Sequence, residues 1–118
     1  KPGALHKPHW HPNASELHYV VKGRVRMSLF GSDKRMAVSE IGPGECAYVP
    51  QGCGHTVHNI GTEQADVVGV LNSGVYSESS LSDWLANAPR HLLANNYGLP
   101  EASIAKKGAR RSIIAEAG

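Results

Sequence analysis

His9-Trp10-His11-Pro12-Asn13-Ala14-Ser15-Glu16-Leu17-His18-Tyr19-Val20-Val21-Lys22-Gly23 is the stretch that decides the fold. From Glu16 to Val21 it is rich in apolar, aromatic and β-branched residues, a strand signal, and Lys22-Gly23 ends it with a turn. Side chains two apart on a strand point to one face. His9 and His11 therefore point together with Trp10 opposite, and Glu16 shares its face with His18 and Val20. Three potential metal donors on strands, closed by a glycine turn, predict a β scaffold built around a polar interior point.

Working outward, the same texture continues. Arg24 to Phe30 alternates Arg24, Arg26 and Ser28 against Val25, Met27 and Leu29. Further strands are expected at Met36 to Ile41, Glu45 to Val49, His55 to Ile60 and Ala65 to Leu71. Gly31-Ser32-Asp33, Gly42-Pro43-Gly44, Gln51-Gly52 and Gly61-Thr62-Glu63 separate them as turns. Many short strands at this spacing predict an all-β antiparallel barrel or jelly roll. Residues 1–73 form that unit, which is short for a closed barrel, so strands ahead of Lys1 or a partner are expected to complete it. Residues 74–118 change character, with a small polar loop from Gly74 to Ser80 and then helices. Leu81, Trp84 and Leu85 have helical spacing with Ser80 or Ser82 as cap, Arg90 to Asn96 is closed by Gly98, and Pro100 to Lys106 predicts a third helix. Trp84 is expected to anchor the first helix on the sheet.

Composition sets the outer limits. The chain has 118 residues, 41% of them hydrophobic, and a formal charge of +2. That is one ordinary globular domain, with too little charge to argue for nucleic acid and no apolar run of the ~18 residues a membrane helix needs. The basic cluster Lys106, Lys107, Arg110 and Arg111 reads as a solvated helix end or an oligomer contact. Cys46 and Cys53 make no disulfide framework. No leader is visible and the sequence opens without Met, as though cut from something longer; the compartment is left open.

The chemistry sits in two segments. The first holds His9, His11 and Glu16; the second, Gly44 to Asn59, adds His55 on a face shared with Val57 and Asn59. Three imidazoles and one carboxylate on a common barrel wall can converge on one interior point. This donor set suits Mn, Fe, Co, Ni or Zn, and lacks the thiolates of structural zinc. On an octahedral ion it leaves positions open for substrate. His18 is either an orienting neighbour of that site or a buried bystander, and Asn59 is expected to hold a backbone turn.

The two segments resemble the motifs of the cupin superfamily. Gly3, five residues, His9-Trp10-His11, four residues, Glu16, six residues and Gly23 match the first motif. Gly44, five residues, Pro50-Gln51-Gly52, two residues, His55, three residues and Asn59 match the second. The resemblance implies a cupin jelly-roll β-barrel with a short C-terminal helical extension, and a metal held by His9, His11, Glu16 and His55.

The flanks are similar to one unit of the two-cupin, germin-related oxalate decarboxylases. Pro2-Gly3-Ala4-Leu5, Ser77-Glu78-Ser79-Ser80, Asp83-Trp84-Leu85-Ala86 and Ala94-Asn95-Asn96-Tyr97-Gly98 carry this likeness. It implies Mn(II) with dioxygen, a small carboxylate substrate, cleavage of oxalate to formate and carbon dioxide, and a homo-oligomer or second cupin unit as partner. It also implies a lid loop whose Glu78 supplies the proton. Two departures stand out. Ser79 replaces an Asn in a loop about three residues shorter. His6 replaces the substrate-holding Arg, and one imidazole does not reproduce a guanidinium fork. The readings that compete are an oxidase of germin type and a non-catalytic metal-binding or storage cupin.

Overall fold

The structure, a computed structural model, describes residues 1–104 and 114–115. Nine strands make two antiparallel sheets among these residues. They are β1 (Leu5–Trp10), β2 (Glu16–Lys22), β3 (Val25–Phe30), β4 (Met36–Ile41), β5 (Cys46–Val49), β6 (Gly54–Asn59), β7 (Asp66–Leu71), β8 (Ser79–Ser80) and β9 (Ile114–Ala115). One sheet runs β4-β3-β6-β1, with β8 and β9 lying along the free edge of β1. The other runs β5-β2-β7. The β2 to β7 strands lie within about a residue of the sequence expectation. β8 does not come from periodicity: two serines in a polar loop become a strand only because His9 and Trp10 offer an edge.

The two-residue period does the sorting. Along β2, Glu16, His18 and Val20 are buried while Leu17 and Tyr19 face out; along β3, Val25 and Met27 alternate with Arg26. Val20, Val25, Met27, Ile41 and Val49 form the apolar core between the sheets. The remaining interior is polar, occupied by His9, His11, Glu16, His18 and His55. Tyr19, Tyr48 and Phe30 are exposed and so do not pack the interior. Gly23 carries the β2–β3 turn at φ +82°, and a β-carbon there would lie 2.7 Å from Ala65 Cα. No other residue fits that crossing.

β1 is irregular where it matters. His6 pairs with Val57 and His9 with His55, so Lys7 and Pro8 together face the single residue Thr56. Pro8 has no N–H for the ladder, which favours a bulge at this point. The extra residue resets the parity, and His6 comes to the same face as His9, with ring centroids 4.1 Å apart.

After β8, α1 (Leu81–Asn87) starts at Ser80, whose Oγ accepts from the Asp83 N–H, and α2 (Arg90–Tyr97) ends on Gly98 in the left-handed region. The third helix is corrected: Glu101–Ser103 form only a single 3-10 turn, residue 104 lies outside it, and residues 105 and 106 lie outside the described residues. The basic cluster from Lys106 to Arg111 lies outside them too. Trp84 is also corrected. It is 65% exposed and meets Trp10 of the sheet edge-on, at 6.4 Å between centroids. No helix among the described residues is long and apolar enough to cross a membrane.

Met27 is fully buried at the centre of the apolar cluster. Met27→Ala is expected to lower unfolding stability by about 2–5 kcal/mol, from lost burial and the cavity left behind. Denaturant unfolding measures it, and a loss below about 1 kcal/mol would contradict this placement of the core.

Candidate metal centre

The four residues singled out by spacing come together. His9 arrives from β1, Glu16 from the start of β2, His55 from β6, and His11 from the residue just after β1. Their donor atoms all lie within 4.8 Å of one another, and all four residues are buried. His11 Nε2 is 3.0 Å and His55 Nε2 is 3.1 Å from Oε2 of Glu16.

The backbone determines which nitrogen faces inward. His9 Nδ1 lies 2.8 Å from the Lys7 carbonyl, His11 Nδ1 2.8 Å from the Ser77 carbonyl, and His55 Nδ1 3.1 Å from the Cys53 carbonyl. A carbonyl only accepts, so each Nδ1 carries the proton and donates it. A neutral imidazole has one N–H, and each Nε2 is therefore a bare lone pair. Three lone pairs and a carboxylate, acceptors all, face one point with no proton between them. His9 Nε2 has no partner at all. Three imidazoliums would relieve this only by packing like charges with centroids 4.1 to 5.7 Å apart. A divalent cation relieves it directly, and histidines anchored through the other nitrogen are the usual arrangement around one. The donor set fits a metal.

The electrostatics agree with a site poised for a cation. Burial, with His9 adding to it, pushes His6 down to about 4. Burial likewise pushes His18 down to about 4, against the opposing pull of Glu16. Burial also lowers His9. For Glu16 burial acts upward, but the imidazoles of His55, His18 and His11 close around it overcome this and hold the carboxyl at about 2. A neutral His9 beside an ionised Glu16 is what a metal needs of these two donors.

Glu78 stands over this cluster. Its side chain is 12% exposed, and its carboxylate lies within 4.8 Å of ring nitrogens of His6 and His9. Tyr76 Oη donates to Glu78 Oε2, and Lys7 Nζ lies 3.7 Å from Oε1. Lys7 also donates to Asp83 Oδ2 at 3.1 Å, tying the loop to the start of α1. Burial acts to raise Glu78, but the Tyr76 hydrogen bond, His9 and Lys7 bring it below the ordinary carboxylate range. Asn59 holds a turn: it donates to the carbonyls of Lys1 and Glu63 and accepts from the Gly61 N–H. Cys53 turns its thiol to the Phe30 carbonyl, and its own carbonyl, not its sulfur, serves the site.

Sequence reasoning missed one residue whose role is to be small. Gly69 on β7 pairs with His18, and a β-carbon built there would run into Glu16 Oε1. A glycine inside a strand is the available signal, since it marks a close approach.

Fold and site together define a class: a two-sheet antiparallel jelly roll with a buried, metal-capable group of three imidazoles and one carboxylate. The family model described as Cupin matches residues 1–104, and the chain belongs to that family. Over 89 residues it is 38% identical to oxalate decarboxylase of Bacillus subtilis, covering 75% of this chain and 23% of that protein. It is 38% identical over 73 residues to germin-like protein subfamily 3 member 2 of Arabidopsis thaliana, covering 62% of this chain and 32% of the relative. A solved structure of the Bacillus subtilis decarboxylase, from work on its Mn(II) centres, superposes with a TM-score of 0.89 at 30% identity. That match covers 100% of this chain and 31% of the other. The fold is thus the cupin fold, and the chain spans about a quarter to a third of the length of these relatives.

Gly69→Ala is expected to displace Glu16 and weaken Mn(II) binding about 10–100-fold, the usual cost of disturbing a ligand's support. Metal titration with far-UV circular dichroism checks it. Unchanged affinity in a folded variant would show that Glu16 does not need the room.

Proposed function

We propose that this chain is a metal-dependent carboxy-lyase unit of oxalate-decarboxylase type, with His9, His11, Glu16 and His55 holding Mn(II). The observation that carries the reading is the placement of Glu78, a nearly buried carboxyl directly beside the four-donor cluster. When bound, Mn(II) with dioxygen supplies Lewis acidity and one-electron chemistry at the substrate. The protein's own part is positional. The lid stretch Ser77 to Ser80 covers the cluster, with the Ser77 carbonyl fastened to His11 and Ser80 paired to His9. His6 lies beside His9 and offers one hydrogen bond to a substrate carboxylate, where the related enzymes' arginine would offer two. Glu78, ionised at rest, takes the proton of hydrogen oxalate and returns it to the carbon that carbon dioxide leaves, so that hydrogen oxalate becomes formate and carbon dioxide. Lys7 and Tyr76 hold that carboxyl in position. A second cupin unit or a second copy is the expected partner, in keeping with the greater length of the relatives.

The germin-like relative keeps an oxidase reading in play, and His6 in place of arginine keeps a non-catalytic metal-binding one. Protein loaded with Mn(II) and given oxalate and dioxygen at mildly acidic pH is expected to release formate and carbon dioxide. Peroxide instead would indicate the oxidase, and bound metal without turnover the binding unit. Glu78→Gln is expected to lower decarboxylation at least ~100-fold, the lower range for a general acid, with metal content unchanged. Undiminished turnover in that variant would remove Glu78 from the mechanism.

A further inference from the structure

Beside the four-donor cluster the interior is not filled. A cavity of about 310 Å³ lies between the two sheets, with Glu16 and His6 in its wall. Glu16 belongs to the cluster, and a ring nitrogen of His6 lies within 4.8 Å of donor atoms of His9 and Glu78. The cavity therefore touches both parts of the proposed site. Protein interiors pack about as densely as organic crystals, and this space is in the range of ligand pockets, roughly 300–1,000 Å³. Its lining says what it can hold.

Much of that lining is aliphatic. Val25 comes from β3, Val57 from β6 and Val67 from β7, and Ala4 and Ala65 extend the same wall. Val57 and Val67 pack against the hydrophobic core yet stay only partly buried, so apolar surface is left uncovered inside the fold. The strand period sets how far this wall stands from the cluster. Val57 is two residues from His55 on β6, and Val67 is two residues from Gly69, the position that abuts Glu16. Two residues along a strand span about 6.5 Å. An acid whose carboxylate is held at the cluster reaches the valines only through carbons beyond its carboxyl group. Oxalate has a second carboxylate there and offers the wall nothing apolar. His6 and His18 edge the same cavity, and the aliphatic wall is the same whichever ring nitrogens carry their protons.

We infer that this cavity is the specificity pocket of the site, and that it selects a carboxylic acid with a short branched aliphatic tail. The carboxylate turns to the metal-loaded cluster, and the tail lies against Val25, Val57 and Val67. Shape and apolar burial make the selection. This rests on the metal-dependent reading proposed above, and it names the class of acid that the site takes.

Binding calorimetry on the Mn(II)-loaded chain tests it, with acetate and isovalerate as probes and metal content measured in every sample. The two acids share a carboxylate and differ only in the tail. Isovalerate is expected to bind at least ~10-fold more tightly, since each buried methylene is worth about fourfold. Val67→Phe, which fills the cavity from β7, is expected to cut that gap to about threefold or less. Methyl NMR of the Zn(II)-loaded wild-type chain locates the tail. Isovalerate is expected to shift the methyls of Val25, Val57 and Val67 and to leave Val68 and Val70, exposed on the outer face of β7, unmoved. These wild-type spectra carry the test where Val67→Phe loses metal or fold. Equal binding of the two acids, no binding of either while metal is bound, or shifts that spare the three valines would each overturn the inference. A protein that takes up no metal overturns the proposed function as well, and the metal measurement separates these two failures.

Discussion

Three hydrogen bonds from imidazole to backbone carry this structure's purpose. By donating Nδ1–H to the carbonyls of Lys7, Ser77 and Cys53, His9, His11 and His55 are left with lone pairs aimed at one another and at Glu16. Such a group is costly to bury without a cation, since every member is an acceptor and none has a proton for its neighbour. Much of the surrounding fold can be understood as what it takes to bring this group together and keep it aligned. The apolar cluster around Met27 and Val20 fixes the two sheets, and the polar cluster occupies the space between them that the core leaves open.

The three carbonyl anchors come from different places, and that links the site to the parts expected to move. Lys7 belongs to the bulge in β1, Cys53 to the turn before β6, and Ser77 to the loop that also carries Glu78. Glu78 is therefore the very next residue after the one whose carbonyl orients His11. Opening the loop would loosen a metal-facing imidazole as well as uncover it. Lys7 has a similar double position, its carbonyl on His9 and its ammonium between Glu78 and Asp83. Site geometry and loop closure are in this way a single arrangement.

The legible part of this chain was the part written in side chains with a period. Alternation places β2 to β7 within about a residue, and strand parity puts His9, His11, Glu16 and His55 on converging faces. What stayed hidden was written in the backbone. No side-chain pattern announces that the carbonyls of Lys7, Ser77 and Cys53 hold the three rings, or that Ser79–Ser80 becomes a strand on the edge of β1. The bulge at Lys7–Pro8 defeats simple parity: His6 and His9, three apart, would face opposite ways on a regular strand and instead stack together. Trp84 misled for a different reason. A large aromatic in a short helix reads as an anchor, but the helix docks through the Ser80–Asp83–Lys7 contacts and leaves the indole mostly exposed.

The backbone fixes the proton of His9, His11 and His55 on Nδ1, leaving three Nε2 lone pairs for a metal. Nitrogen NMR of the isotope-labelled chain, before and after addition of one equivalent of a diamagnetic divalent ion such as Zn(II), measures this directly. All three rings are expected to be Nδ1–H tautomers before addition, and their Nε2 resonances, and no Nδ1 resonance, to shift on binding. Nε2–H tautomers, or a binding shift at Nδ1, would contradict it.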